Sequence, residues 1–258
     1  MTVDEYAGAA EAWAGQVAAV YTRLARAVID DCPIPLPGAL VLDVGSGTGV
    51  VSDLAVAAGA RVIAADLSED MLRFDRDRRP PGAVADVFAL PFRARIFDAV
   101  LGACVINHFD DPAAALRAAA GAVRSGGAVV TSSFGAEPDP LKDAVDEVAR
   151  RHGWTPPDWY RTIKQATSTH LGDPDRFAAT GRAAGLHDVI ARRHEISMST
   201  LSAEEAVAYR LSLPTFTPWL RALSPAEHER LTGEAIRAAA PVVPRWFAAL
   251  MVLSGRVS

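Results

Sequence analysis

The chain has 258 residues, with 26 basic and 31 acidic side chains for a formal charge of −5, and half of its residues are hydrophobic. That length suits one large α/β domain or two small ones, and the apolar content builds a core with no disulfide or metal staple. The acidic balance supplies no broad positive field for a phosphate backbone, and Cys32 and Cys104 are too few for a secreted disulfide framework. The opening, MTVDEYAGAAEAW, carries acids where a signal peptide needs a basic segment. With no long unbroken apolar run, the expectation is a cytoplasmic protein with neither a membrane nor a nucleic acid as partner. Its oligomeric state stays open. Lys142 and Lys164 are the only lysines among the 26 basic residues, a bias that reads as genomic base composition along with the abundant alanine.

In chain order, Tyr6, Trp13, Val17, Tyr21, Leu24 and Val28 recur at helical spacing and predict one amphipathic helix over 4–30. Prolines 33, 35 and 37 end it. The apolar run 39–44 reads as a strand covered on both faces, followed by a helix over 50–58 and a strand over 61–65. Ser68 is an N-cap for a helix expected to reach Arg78. A short strand at 84–85, a longer one at 97–103 and a helix at 112–123 come next; Gly126-Gly127 are expected to turn the chain into a strand at 128–133. Strand–helix alternation of this kind predicts an α/β, doubly wound, Rossmann-like sheet, seven-stranded and mostly parallel. Prolines and aromatics then break the rhythm. The division expected is one domain, with an N-terminal helical cap (1–37), a core (38–134) and helical lid insertions at 135–172 and 202–240. A helix at 174–184 and strands at 188–198 and 246–257 complete the sheet.

The segment Val41-Leu42-Asp43-Val44-Gly45-Ser46-Gly47-Thr48-Gly49 places an acid near a strand end, three glycines on alternate positions, and then a helix. Glycines let a ligand approach the backbone, and the free N–H groups at the helix start suit a carboxylate. Asp43 can favour a nearby ammonium. A dinucleotide-binding GxGxxG loop needs a third glycine where Val50 stands, which argues against a dehydrogenase. Asp66 ends the second strand and can accept both hydroxyls of a ribose; Asp86 ends the third and can accept from an exocyclic amine such as that of adenine. Each aspartate also has a structural reading as a helix cap.

This ordered set resembles the class I S-adenosylmethionine-dependent methyltransferases, in the group of ubiquinone/menaquinone-biosynthesis and small-molecule tailoring enzymes. The resemblance runs through VLDVGSGTG (41–49), Asp66 with Leu67 and Met71, Ala85-Asp86 with LPF (90–92), Phe97-Asp98, Asn107-His108 and Gly126-Gly127. It implies S-adenosyl-L-methionine as cofactor. Its methionine part would lie on Asp43, Gly45 and Gly47, with Ser46 in the same loop. Asp66 would take the ribose, Leu67 and Met71 would pack on the adenine, and Asp86 and the Val87 N–H would meet its edge. Ala103 and Cys104 would line the methionyl end. Asp98 is left outside the site, as a structural strand residue.

The activity implied is in-line methyl transfer to a small apolar or aromatic metabolite. The alternatives are a non-methylating reaction such as a cyclisation, or a non-catalytic cofactor sensor. His108 is the candidate general base, with a packed loop histidine as its other reading. Tyr6, His152, Trp154, Trp159, Tyr160 and Phe216 are the candidate substrate lining, with lid packing as the competing account. No histidine pair has metal-ligand spacing, so no metal is expected.

Overall fold

The computed structural model describes residues 6–258. Positions 4 and 5 of the expected first helix, with the rest of the opening segment before Tyr6, lie outside the described residues. Helix α1 (Ala10–Ala12) runs through a π-turn (Trp13–Val17) into α2 (Ala18–Asp30), which buries Val20, Leu24 and Val28. Strand β1 (Leu40–Val44) is the centre of the parallel half, with β2 (Arg61–Asp66) on one side and β4 (Phe97–Gly102) on the other. Helix α3 (Val50–Ala57) joins β1 to β2, and β3 (Gly82–Val84) forms the outer edge.

Three boundaries differ from expectation. The helix after Ser68 is only α4 (Glu69–Arg73), because Phe74 is extended and Asp75 left-handed; a separate 3₁₀ turn covers Arg76–Arg78. Ser68 still caps it, its Oγ accepting from the Met71 N–H. Helix α5 (Pro112–Gly121), capped by Asp111, stops at Gly121, and β5 (Val123–Phe134) begins there. Gly126-Gly127 therefore lie inside the strand, at an irregular step in its pairing with β4, and do not form a turn before it.

The sheet order is β3-β2-β1-β4-β5-β7-β6. Strand β6 (His187–Ser197) is the far edge, and β7 (Phe247–Arg256) slots antiparallel between β5 and β6. The sheet is thus seven-stranded and mostly parallel, with buried apolar layers on both faces. One layer holds α5 and α8 (Pro174–Ala183), with Leu116 and Phe177 at its centre. The other packs α2 and α3 with helices that leave the sheet: α6 (Pro140–Arg151), α9 (Ala203–Leu211), α10 (Thr217–Leu220) and α11 (Pro225–Ala239); α7 (Asp158–Ala166) lies between α6 and α8 in the chain and, among the described residues, adds nothing to this layer. Asp139 caps α6 through the Leu141 and Lys142 N–H groups, and Ser202–Glu205 and Ser224–Glu227 form capping boxes on α9 and α11. No helix among the described residues is long and apolar enough to cross a membrane.

Candidate functional site

The carboxyl ends of β1, β2 and β3 open onto one cleft of about 200 Å³. Its floor is the turn from β1 into α3, where Gly45, Gly47 and Gly49 all have positive φ. Gly45 is also forced by space, whereas Gly49 is demanded by its φ and meets only the movable end of Arg79. A Cβ on Gly45 would stand 2.3 Å from Cγ2 of Val105, and one on Gly49 would stand 2.6 Å from Nε of Arg79. The Gly47 N–H donates to Oδ2 of Asp66 at 2.7 Å, and the Ser68 N–H donates to Oδ1 at 2.8 Å. Asp66 thus laces the glycine turn to the end of β2. Burial raises its pKa, opposed by the backbone donors it accepts.

Gly45, Ser46, Gly47, Asp66, Leu67, Met71, Asp86, Val87, Ala103 and Cys104 all line this cleft, which brings together ten of the eleven residues expected to hold a cofactor. Asp86 also accepts from the Phe88 N–H at 3.0 Å, so its capping role is real and coexists with its place in the cleft. The buried Ser46 Oγ has no protein partner. Cys104 is a buried thiol that burial pushes up to about 12, which makes it a packing residue, not a thiolate.

Asp43 is the exception. It sits inside β1, fully buried, and does not line the cleft. The Ser52 hydroxyl of α3 donates to its Oδ2 at 2.6 Å, while Oδ1 has no partner. Burial lifts its pKa to about 7, and the Ser52 bond and the positive field of Arg79 lower it. Asp43 thus stands behind the turn and not at the cleft surface, and the nearest cation acting on it within the chain is Arg79. That guanidinium donates to the Met71 carbonyl at 2.8 Å and leaves Nε and Nη2 unpartnered beneath Gly49. Asp98 ties the sheet together, accepting from the Leu40 N–H and from Arg124.

A second cavity, of about 430 Å³, adjoins the cleft and is walled in part by helices α6, α7 and α9. Tyr6, Trp13, Tyr21, Cys104 and His108 line both spaces and form the junction. His108 lies in the 3₁₀ turn Ile106–His108 after β4, its Nε2 3.4 Å from the Tyr6 hydroxyl and its buried Nδ1 without a partner. Burial pulls its pKa down to about 4, so the ring is neutral near pH 7.

Of the expected substrate-lining residues, Tyr6, Trp159 and Tyr160 reach this cavity; His152, Trp154 and Phe216 do not. His152 faces away and pairs with Glu234 of α11 at 3.2 Å. Trp154 and Phe216 are fully buried and stacked at 4.2 Å, and the Trp154 indole donates to the Thr215 carbonyl. Aromatics whose faces cover one another are spent on lid packing. The residues that line the cavity in their stead include Trp13, Tyr21, Asn107, Phe134, Lys142, Lys164 and Arg210. Trp13 and Tyr21 read in the sequence as an ordinary helix stripe. The two lysines stood out by rarity, which was the available signal.

A family model described as a methyltransferase domain matches residues 42–131. The ubiquinone biosynthesis O-methyltransferase of Bordetella bronchiseptica is 30% identical over 192 residues, covering 69% of this chain and 76% of that protein. The demethylmenaquinone methyltransferase of Corynebacterium kroppenstedtii is 37% identical over 100 residues, 39% of this chain and 44% of its own length. Matches to relatives of this second kind span about half of their length or less. Among solved structures, the phosphoethanolamine N-methyltransferase 2 of Haemonchus contortus, in complex with S-adenosyl-L-methionine, has a TM-score of 0.59 at 19% identity, covering 91% of this chain and 52% of that one. The glycine turn, the acids closing β2 and β3 and these relationships converge: the chain belongs to the class I S-adenosylmethionine-dependent methyltransferases.

Proposed function

We propose that the protein transfers a methyl group from S-adenosylmethionine to a small acceptor with an aromatic or apolar body, held in the cavity beneath the lid. The observation that carries the reading is the junction: one cleft bearing the glycine turn, Asp66 and Asp86 opens onto a separate aromatic-walled cavity past Tyr6 and His108. The cleft residues suit the cofactor. Ser46 offers a buried hydroxyl with no protein partner, and Met71 and Val87 are buried apolar walls. When bound, the cofactor supplies an electrophilic methyl group on a sulfonium, chemistry that needs little help from the protein.

The chain's own duties are then orientation and proton handling. Gly45, Ser46 and Gly47 would hold the amino-acid part, with Asp43 fixing the turn from behind through Ser52. Asp66 would take ribose hydroxyls, Leu67 and Met71 would flank the base, Asp86 and Val87 would meet its edge, and Ala103 and Cys104 would back the methionyl end. Residues 38–134 serve as the cofactor core, and the described part of 1–37 with 135–172 and 202–240 as the cover that excludes water and aligns the acceptor. His108, neutral and with a free ring nitrogen, serves as base for an acceptor that must lose a proton.

Isothermal titration with S-adenosylmethionine and S-adenosylhomocysteine tests the first half. Wild type should bind both, and Asp66→Ala should weaken binding at least about tenfold, since it loses a charged hydrogen-bond partner. No binding by wild type, or no effect of that substitution, overturns the reading. Mass spectrometry of the turnover mixture should find a product heavier by one methylene, together with the demethylated cofactor. Replacing His108 by Gln should lower kcat by about a hundredfold or more while cofactor affinity holds. An unchanged kcat with a raised KM would leave His108 as a wall of the pocket.

A further inference from the structure

The two lysines of this chain, separated by 22 positions and carried on different helices, both line the cavity beneath the lid. Everywhere else the chain uses arginine. Lys142 is on α6 and Lys164 on α7, and Arg210 of α9 closes the group. The carboxylate inside the group is Asp146, and Arg210 holds both of its oxygens, at 2.8 and 2.9 Å. Lys142 approaches Asp146 at 3.5 Å from the side, and Asp143, largely exposed, at 3.9 Å. The other acids of the cavity wall are committed. Glu137 accepts from Arg193 at 2.6 Å, and Asp139 caps α6. Among the described residues no carboxylate comes within 4.0 Å of the Lys164 ammonium, whose one aromatic neighbour is the Tyr160 ring at 5.8 Å. The cation group is therefore richer in positive charge than in the carboxylates that meet it.

We propose that Lys164 and Lys142 form an anion subsite in this cavity, so that the acceptor carries an acidic group, a carboxylate or a phosphate, on its aromatic or apolar body. The assignment rests on the methyl-transfer reading of the adjoining cleft. An anion at this place completes what the protein leaves incomplete. It gives Lys164 the opposite charge that Asp146 gives Arg210, and it lies between two ammonium groups that otherwise repel each other. Partial desolvation and the charges of Lys142 and Arg210 hold the Lys164 ammonium down to about pKa 8, a cost that a bound anion would relieve. Lysine suits the task, because its compact charge on a flexible stem meets either acid, whereas the planar fork of Arg210 is already engaged. The aromatic walls at Trp13, Tyr21 and Phe134 leave the body of the acceptor toward His108.

The test is calorimetric titration with three naphthalenes of one shape, 2-naphthoate, 2-naphthyl phosphate and neutral 2-naphthamide, each with and without saturating S-adenosylhomocysteine. At least one anion should bind tenfold or more tightly than the amide, and the tighter of the two identifies the acid as carboxylate or phosphate. Lys164→Met and Lys142→Met should each reduce that preference several-fold and together abolish it, while Lys164→Arg retains it; S-adenosylhomocysteine should bind all of them within twofold of wild type. Equal affinity for amide and anions in wild type, no binding of any of the three, or a preference that survives the double substitution overturns the proposal. Loss of S-adenosylhomocysteine binding by wild type would instead overturn the methyl-transfer reading, and the titrations without it read the anion preference independently.

Discussion

A carboxylate with one oxygen bonded and the other bare, sealed inside a parallel sheet, is costly to ionise, and Asp43 is that group. Folding raises its pKa from 3.8 to about 7, so between those values the folded chain holds a proton that the unfolded chain has released. Its contribution to stability therefore falls as pH rises through that window and is lowest above it. Asp43→Asn should remove this dependence and raise Tm at pH 8 relative to wild type, by about 2–4 °C per kcal/mol relieved for a chain of this size, measured by calorimetry at pH 5 and pH 8. His108 acts in the opposite sense. Its pKa falls from 6.5 to about 4, so its contribution is complete above 6.5 and is lost as pH falls toward 4. Gly45 is fixed by geometry, with φ +65° and Val105 where a Cβ would go. Gly45→Ala should cost at least about 2 kcal/mol in urea unfolding and abolish titratable cofactor binding, because the turn must move. The acids and glycines of this turn were legible in the sequence, since each is demanded by local backbone geometry. That Asp43 bonds Ser52 of α3 and lies outside the cleft was not legible, because the orientation depends on how the following helix packs back on the strand.

At the scale of elements, α6, α7 and α9 are tied together by the buried pair Asp146 of α6 and Arg210 of α9, whose guanidinium also donates to the Tyr160 hydroxyl of α7 at 3.3 Å and lies over the Phe216 ring. A buried pair is worth little against a well-packed apolar replacement, but removing one partner strands the other charge. Asp146→Ala should thus destabilise by about 3–5 kcal/mol in equilibrium urea unfolding, while the double variant Asp146→Leu with Arg210→Met should recover most of that loss. The helices α6 and α7 both fall inside the stretch 135–172 that was expected to be a helical insertion. The aromatic assignments over the same stretch failed in part, because Trp154 and Phe216 are 62 positions apart and nothing local records that they stack.

Over the whole molecule, the cleft and the lid cavity share Tyr6, Trp13, Tyr21, Cys104 and His108 as a common wall. A ligand that orders this wall from one side prepares it for the other, and such coupling is reciprocal. S-adenosylhomocysteine should therefore tighten the binding of an anionic naphthalene by about 5-fold or more, and the naphthalene should tighten S-adenosylhomocysteine by the same factor, both read by calorimetry. What the sequence by itself determined was the parallel half of the sheet and the class of cofactor. Short buried strands, turn glycines and strand-end acids are local requirements, met within a few residues of one another. The tertiary structure alone decided the insertion of β7 between β5 and β6, the separation of lid-packing aromatics from cavity-lining ones, and the meeting of Lys142 with Lys164. In composition those two lysines were an oddity of an arginine-rich chain. Charge acquires chemical meaning only from its neighbours and its dielectric, and both are supplied by segments that the sequence leaves far apart.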